Sequence, residues 1–201
     1  MAYLKLYRLS KQREWLDHGT RVLDYLLLTQ QVWQVPGFAP QVVGGFTTQN
    51  TDAEWSDARQ CYIAVLLLEY YQETQEIEYL ERAVAAARAS FAVAPWENWA
   101  HTGHEDKPGS MTGFHWGTGS AMASVEIMAP VLGDAFVNVE RQHGVGFNAT
   151  SVRRVSVNRT AANRATVAID VEAMPELQTI HLRFAGADPQ TTYTLVINGR
   201  Q

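Results

Sequence analysis

Residues 44–71 read GGFTTQNTDAEWSDARQCYIAVLLLEYY, and the fold turns on where this stretch changes character. It opens on a Gly pair, passes through a polar loop and becomes a long apolar run from Ala58 to Tyr71. The segment CYIAVLLLEYY is apolar on nearly every face, and a helix of that kind is buried on most sides. Asp52 suits an N-cap, and Glu54 and Asp57 suit the positive end of a helix dipole. The spacing therefore predicts a helix over about 53–73.

On the C-terminal side, a short turn at 72–75 leads to a helix predicted over about 76–93. Leu80, Val84, Ala87 and Phe91 share one stripe, and the small residues at 85–87 permit close packing. The two helices read as an antiparallel hairpin. On the N-terminal side, a helix is predicted over about 11–30. Ser10 is its N-cap, Leu16, Leu23 and Leu27 form one stripe, and Trp15, Val22 and Leu26 form a neighbouring one. The loop from about 31 to 51 is long for a compact domain, and long ordered loops are often functional. A second long loop, APWENWAHTGHEDKPGSMTGFHW at 94–116, precedes a helix predicted over about 118–132, with Pro130 in its last turn and Gly133 as C-cap. Thr118 or Ser120 would cap its start, or the amides of 117–120 would bind an anion.

From 134 the period changes to that of strands. These are predicted at 135–139, 144–149, 151–157, 164–171, 178–184 and 191–197, with Ile180, Leu182 and Phe184 facing a core. A run of helices followed by a run of strands implies an α+β, multidomain chain, divided here as 1–132 and 133–201. Asn198-Gly199 is a hairpin signal. A returning strand would be expected after it, so the chain reads as part of something longer.

Composition narrows the functional classes. The chain has 201 residues, a net charge of −5, 46% hydrophobic and 18% charged residues. No basic footprint for nucleic acid is present. The single cysteine, Cys61, excludes an intrachain disulfide and a Cys-based zinc cluster, and its apolar surroundings make it a buried small hydrophobe. The N-terminus has no signal-peptide pattern and no run is apolar enough to span a membrane, so neither a membrane nor a compartment is indicated.

Three groups of residues carry chemical promise. Asp52, Glu54 and Asp57 stand at a helix start beside Asn50 and Trp55, with Glu54 and Asp57 on one helix face. Glycoside hydrolysis needs two carboxylates about 5–9.5 Å apart, one of them a proton donor. The competing reading is capping and dipole complementation alone. In the second loop, His101, His104 and His115 accompany Glu105 and Asp106. A neutral His there could act as base, acid or hydrogen-bond partner. The run H-T-G-H-E-D is not the helical zinc motif, and no metal or other cofactor is expected. Trp55, Trp96, Trp99 and Trp116 gather at loop–helix junctions, where indole faces suit sugar rings, unless they only plug the ends of a helical assembly.

The segments GGFTTQNTDAEWSDARQ, YYQETQEIEYLERAVAAARASF and HWGTGSAMASVEIM, over about 44–128, together resemble the C-terminal part of (α/α)-toroid carbohydrate-active proteins, such as six-hairpin glycosidases. The resemblance implies antiparallel α-hairpins of a partial toroid, followed by an antiparallel β-sandwich-like domain, and a role in polysaccharide degradation. A closed toroid needs about twelve helices, so a missing N-terminal helical portion or a homo-oligomer would complete it. An oligo- or polysaccharide is the implied partner. A hydrolase would use Asp52, Glu54, Asp57 or Glu105, with His104. Asn50, Trp55, Trp99, His101, His115 and Trp116 would then bind substrate. A lyase, and a non-catalytic glycan- or protein-binding module, remain the alternatives. The choice between an enzyme and a non-catalytic module turns on whether the two long loops meet at one end of the helices.

Overall fold

A computed structural model describes residues 1–34, 36, 41, 43–46, 61–97 and 116–199, the side chains of 93–97 and 116–118 excepted. The fold is α+β. It divides into two compact units, Met1–Val125 and Glu126–Gln201.

The first unit begins with two helices where the sequence predicts one. α1 (Ala2–Ser10) and α2 (Arg13–Leu27) are separated by Lys11 in the left-handed region, φ 57°, whose N–H donates to Tyr7 O. Ser10 is not an N-cap. Its hydroxyl donates to Leu6 O and accepts the Gln12 amide, which closes α1 instead of opening α2. On α2, Leu16, Leu23 and Leu27 are buried as their stripe predicts, whereas Val22 of the neighbouring stripe is exposed.

α3 (Cys61–Thr74) and α4 (Ile77–Glu97) are joined by two residues and pack as a hairpin. Cys61, Ala64, Val65, Leu67, Leu68, Tyr70 and Tyr71 are buried on α3, which accounts for its apolar character on most faces. α4 presents Leu80, Ala83, Val84, Ala86 and Ala87 to the core, and Phe91 stands 44% exposed, off that stripe. It runs on to Glu97, beyond the end predicted at about 93.

Three contacts tie the helices together. α2 meets α3 at Gly19, where a Cβ would lie 1.8 Å from the Tyr70 hydroxyl, so only glycine admits that ring. Arg8 on α1 reaches Glu69 at 3.0 Å and Glu73 at 2.7 Å on α3. Tyr79 on α4 donates to Asp24 on α2 at 2.7 Å, and burial followed by that bond pushes the phenol pKa up.

α5 (Trp116–Leu132) starts earlier than the spacing predicts, so Thr118 and Ser120 lie inside the helix and not at its N-cap position. Gly133 ends it, with φ 61° and its N–H on Ala129 O.

The second unit holds β1 (Ala135–Asn138), β2 (His143–Gly146), β3 (Thr150–Ala161), β4 (Arg164–Ala173), β5 (Leu182–Ala185) and β6 (Thr192–Ile197). They form two three-stranded sheets, ordered β2-β1-β5 and β3-β4-β6. The expected all-antiparallel arrangement is corrected here. β1–β2 and β3–β4 are antiparallel, but β1–β5 and β4–β6 are parallel. The reason is the chain path. After β4 the chain crosses to the first sheet for β5 before returning as β6, and so long a crossover permits parallel pairing. Val137 and Val139 pack with Val167, Ile169 and Val171 in one core shared by both sheets, joined by Val155, Leu182 and Leu195. Phe184, expected to face that core, is exposed, because β5 is an edge strand. Asn198 ends β6 by imitating a strand: its side chain accepts the Val171 N–H at 2.8 Å and donates to Val171 O at 2.9 Å.

Asp134 stitches the unit at its start. Its carboxylate accepts His181 N at 2.7 Å, His181 Nδ1 at 2.9 Å and Asn148 Nδ2 at 2.8 Å. Its carbonyl accepts Phe147 N and the Thr150 hydroxyl. Burial works to raise the Asp134 carboxyl, but the donors from His181 and Asn148 outweigh it and hold the pKa below its ordinary value.

Candidate functional site

Asn50, Asp52, Glu54, Trp55 and Asp57, and equally Trp99, His101, His104, Glu105 and His115, lie outside the described residues. Trp116 begins α5, with its side chain likewise outside them. What the structure does define is the frame that carries both segments.

The first segment, 47–60, hangs between two buried residues, Phe46 at 0% exposure and Cys61 at 1%. The approach to Phe46 is clasped to the helices. Gly44 N donates to Gln31 O at 2.7 Å, and Gln31 N donates to Gly45 O at 2.8 Å. Gln30, itself buried, donates its amide to Gly44 O at 2.8 Å and to Arg82 O at 3.1 Å, and accepts Arg82 Nη1 at 2.9 Å. Arg82 is held in turn by Glu78, one helical turn earlier. Gly44 has φ 91°, and a Cβ there would lie 2.6 Å from the Ala85 backbone on α4. The Gly pair in the sequence therefore marks a seat against a helix as well as a turn.

The second segment, 98–115, links the C-terminus of α4 to the N-terminus of α5. The α3–α4 hairpin places the start of α3 and the end of α4 at the same end. Ser120, in the first turns of α5, donates to the Tyr62 hydroxyl in the first turn of α3 at 3.1 Å. Three helix termini thus share one end of the first unit, and both polar segments attach there. Sequence reasoning named neither Gln30 and Arg82, which fix the approach, nor the Tyr62–Ser120 pair, which joins the two helix starts. Single polar residues within apolar helices carry no spacing signal.

No protein-family model, curated protein or solved structure matches the chain. Its own geometry must therefore carry any functional reading. Among the described residues no group of three or more His, Cys, Asp or Glu is placed to hold a metal ion, and no helix is long and apolar enough to cross a membrane.

Proposed function

We infer that the chain belongs to a carbohydrate-active protein of the glycoside-hydrolase kind, acting through the carboxylates of 52–57 together with His104 and Glu105. The observation that supports this most is the common end shared by the α3 start, the α4 end and the α5 start, with Tyr62 and Ser120 in hydrogen-bond contact. Two segments attached there carry the acids, the histidines and the indoles that a sugar site uses.

In this reading one carboxylic acid protonates the glycosidic oxygen while a second carboxylate attacks the anomeric carbon or activates water. The indoles of Trp55, Trp99 and Trp116 stack on the sugar rings, and Asn50, His101 and His115 bond the hydroxyls. Two consecutive helical hairpins, α1–α2 and α3–α4, suit a partial (α/α) toroid. So do the exposed apolar residues Val22 and Tyr25 on α2 and Leu28 at its C-cap, which further helices would cover. Two sheets around one core suit a sandwich-like second unit.

The test is turnover of a panel of neutral polysaccharides by the chain and by Asp52→Ala and Glu54→Ala. A catalytic role predicts a loss of about a hundredfold or more, with only about 0.5–2 kcal/mol of stability lost from the helix cap. Unchanged turnover in both variants would remove these acids from the mechanism.

A further inference from the structure

A cavity opens to solvent at the edge of the second unit's core. Pairing across β3, β4 and β6 sets Val157, Val167 and Leu195 in one row and Arg159, Ala165 and Tyr193 in the next row on the same face. The first row fills the space between the sheets. The outer residues of the second row, Arg159 and Tyr193, line an open, solvent-facing cavity of about 610 Å3 together with Val139, Val157 and the exposed Glu140, Gln142 and Asp188. That volume lies within the roughly 300–1,000 Å3 of small-ligand sites.

The lining has two parts. Val139, Val157 and the Tyr193 ring give it an apolar wall, and Glu140, Gln142, Arg159 and Asp188 give it polar groups of both signs. Several of these groups are held in place by the fold. Gln142 Oε1 accepts the Val157 N–H at 3.2 Å, which leaves the amide NH2 to donate. The Tyr193 hydroxyl accepts the Asp188 N–H at 2.9 Å, which leaves its own proton to donate. The Asp188 carboxylate is set by Gln190 N at 3.0 Å and the Thr191 hydroxyl at 2.7 Å. Groups fixed in this way bind with little further loss of side-chain freedom.

We propose that this cavity binds a neutral sugar through residues of the second unit alone. A pyranose presents an apolar C–H face and a rim of hydroxyls that both donate and accept, which matches an aromatic and aliphatic wall ringed by carboxylates, an amide and a guanidinium. An anionic ligand would meet Glu140 and Asp188 against the single cation Arg159. The assignment leans on the carbohydrate-active reading for the class of ligand, and on the cavity alone for its place.

The full chain, labelled with 15N, is titrated with neutral gluco-, xylo- and manno-oligosaccharides and with an acidic oligogalacturonide. One neutral sugar should give saturable shifts of the Ala187, Asp188 and Tyr193 amides. Ala187→Trp, which fills the cavity from an exposed position, and Arg159→Ala should each weaken that binding about tenfold or more, with the melting temperature unchanged. Tyr193→Phe, which keeps the ring, should weaken it less than Ala187→Trp does. Silent amides across the neutral panel, tighter binding of the acidic sugar, or full affinity in Ala187→Trp would each overturn the proposal. Turnover lost in Asp52→Ala while these amides never shift would overturn this inference alone. Saturable shifts in a chain with no turnover would uphold it and count against the hydrolase reading.

Discussion

Gly44→Ala is expected to lower the stability of the first unit by about 3 kcal/mol, through backbone strain and a forced clash. At φ 91° an L side chain is strained wherever it points, and here it points at the α4 backbone, 2.6 Å from Ala85. The segment cannot swing clear. Gly44 N is bonded to Gln31 O and Gly44 O to the buried Gln30 amide, so relief of the clash breaks bonds on both sides. For a chain of this size the melting point should fall by about 6–12 °C. Gly119→Ala is the control. A Cβ on Gly119 meets nothing within 4 Å, and the residue lies in α5, so alanine there should be neutral or stabilise by about 0.5–1 kcal/mol. A Gly44→Ala chain that melts with the parent would mean that the clasp does not exist.

The second large effect belongs to Asp134. Asp134→Ala strands three donors, His181 N, His181 Nδ1 and Asn148 Nδ2. An unmet buried donor costs about 1–3 kcal/mol. The His181 ring is 76% exposed and can turn to water, so the expected loss is about 2–3 kcal/mol rather than three full penalties. The effect has a pH signature. The folded-state pKa is depressed below the ordinary 3.8, so the unfolded chain takes up the proton first as pH falls. The stabilisation is complete above about pH 4 and disappears as pH drops through the folded value. Urea unfolding should therefore show a wide gap between parent and Asp134→Ala at pH 7 that narrows as the pH falls through the folded pKa, below 3.8. A gap that stays constant would assign the loss to packing and not to the carboxylate.

Much of the architecture is legible from the chain because it rests on local period. The α3 run declares its burial by being apolar all round, and the change of period after 134 announces the strands. The break between α1 and α2 is not legible, because it depends on one serine hydroxyl bonding Leu6 O and the Gln12 amide, which no periodicity records. The parallel pairings are equally hidden. The alternation of Ile180–Phe184 gives a strand but not its neighbour, and only the crossover through the first sheet decides the direction. The cavity in the second unit stays hidden for the same reason. Arg159 and Tyr193 become row-mates only once β4 lies between them. The acids, histidines and indoles of the two long segments stand out in the sequence by residue type. The structure adds the one thing residue type cannot supply, the common end at which their flanking helices terminate.

The excursion of β5 into the sheet that does not hold β4 and β6 also bears on how the second unit forms. Neither sheet can acquire its third strand until the chain has laced through the other, so half-assembled states bury little and gain little. Assembly should then be late, cooperative and governed by distant pairings, with a slow rate typical of high contact order. Amide exchange should report a single opening energy for β1 and β4 alike, whereas two separate values would mean that the sheets come apart one at a time.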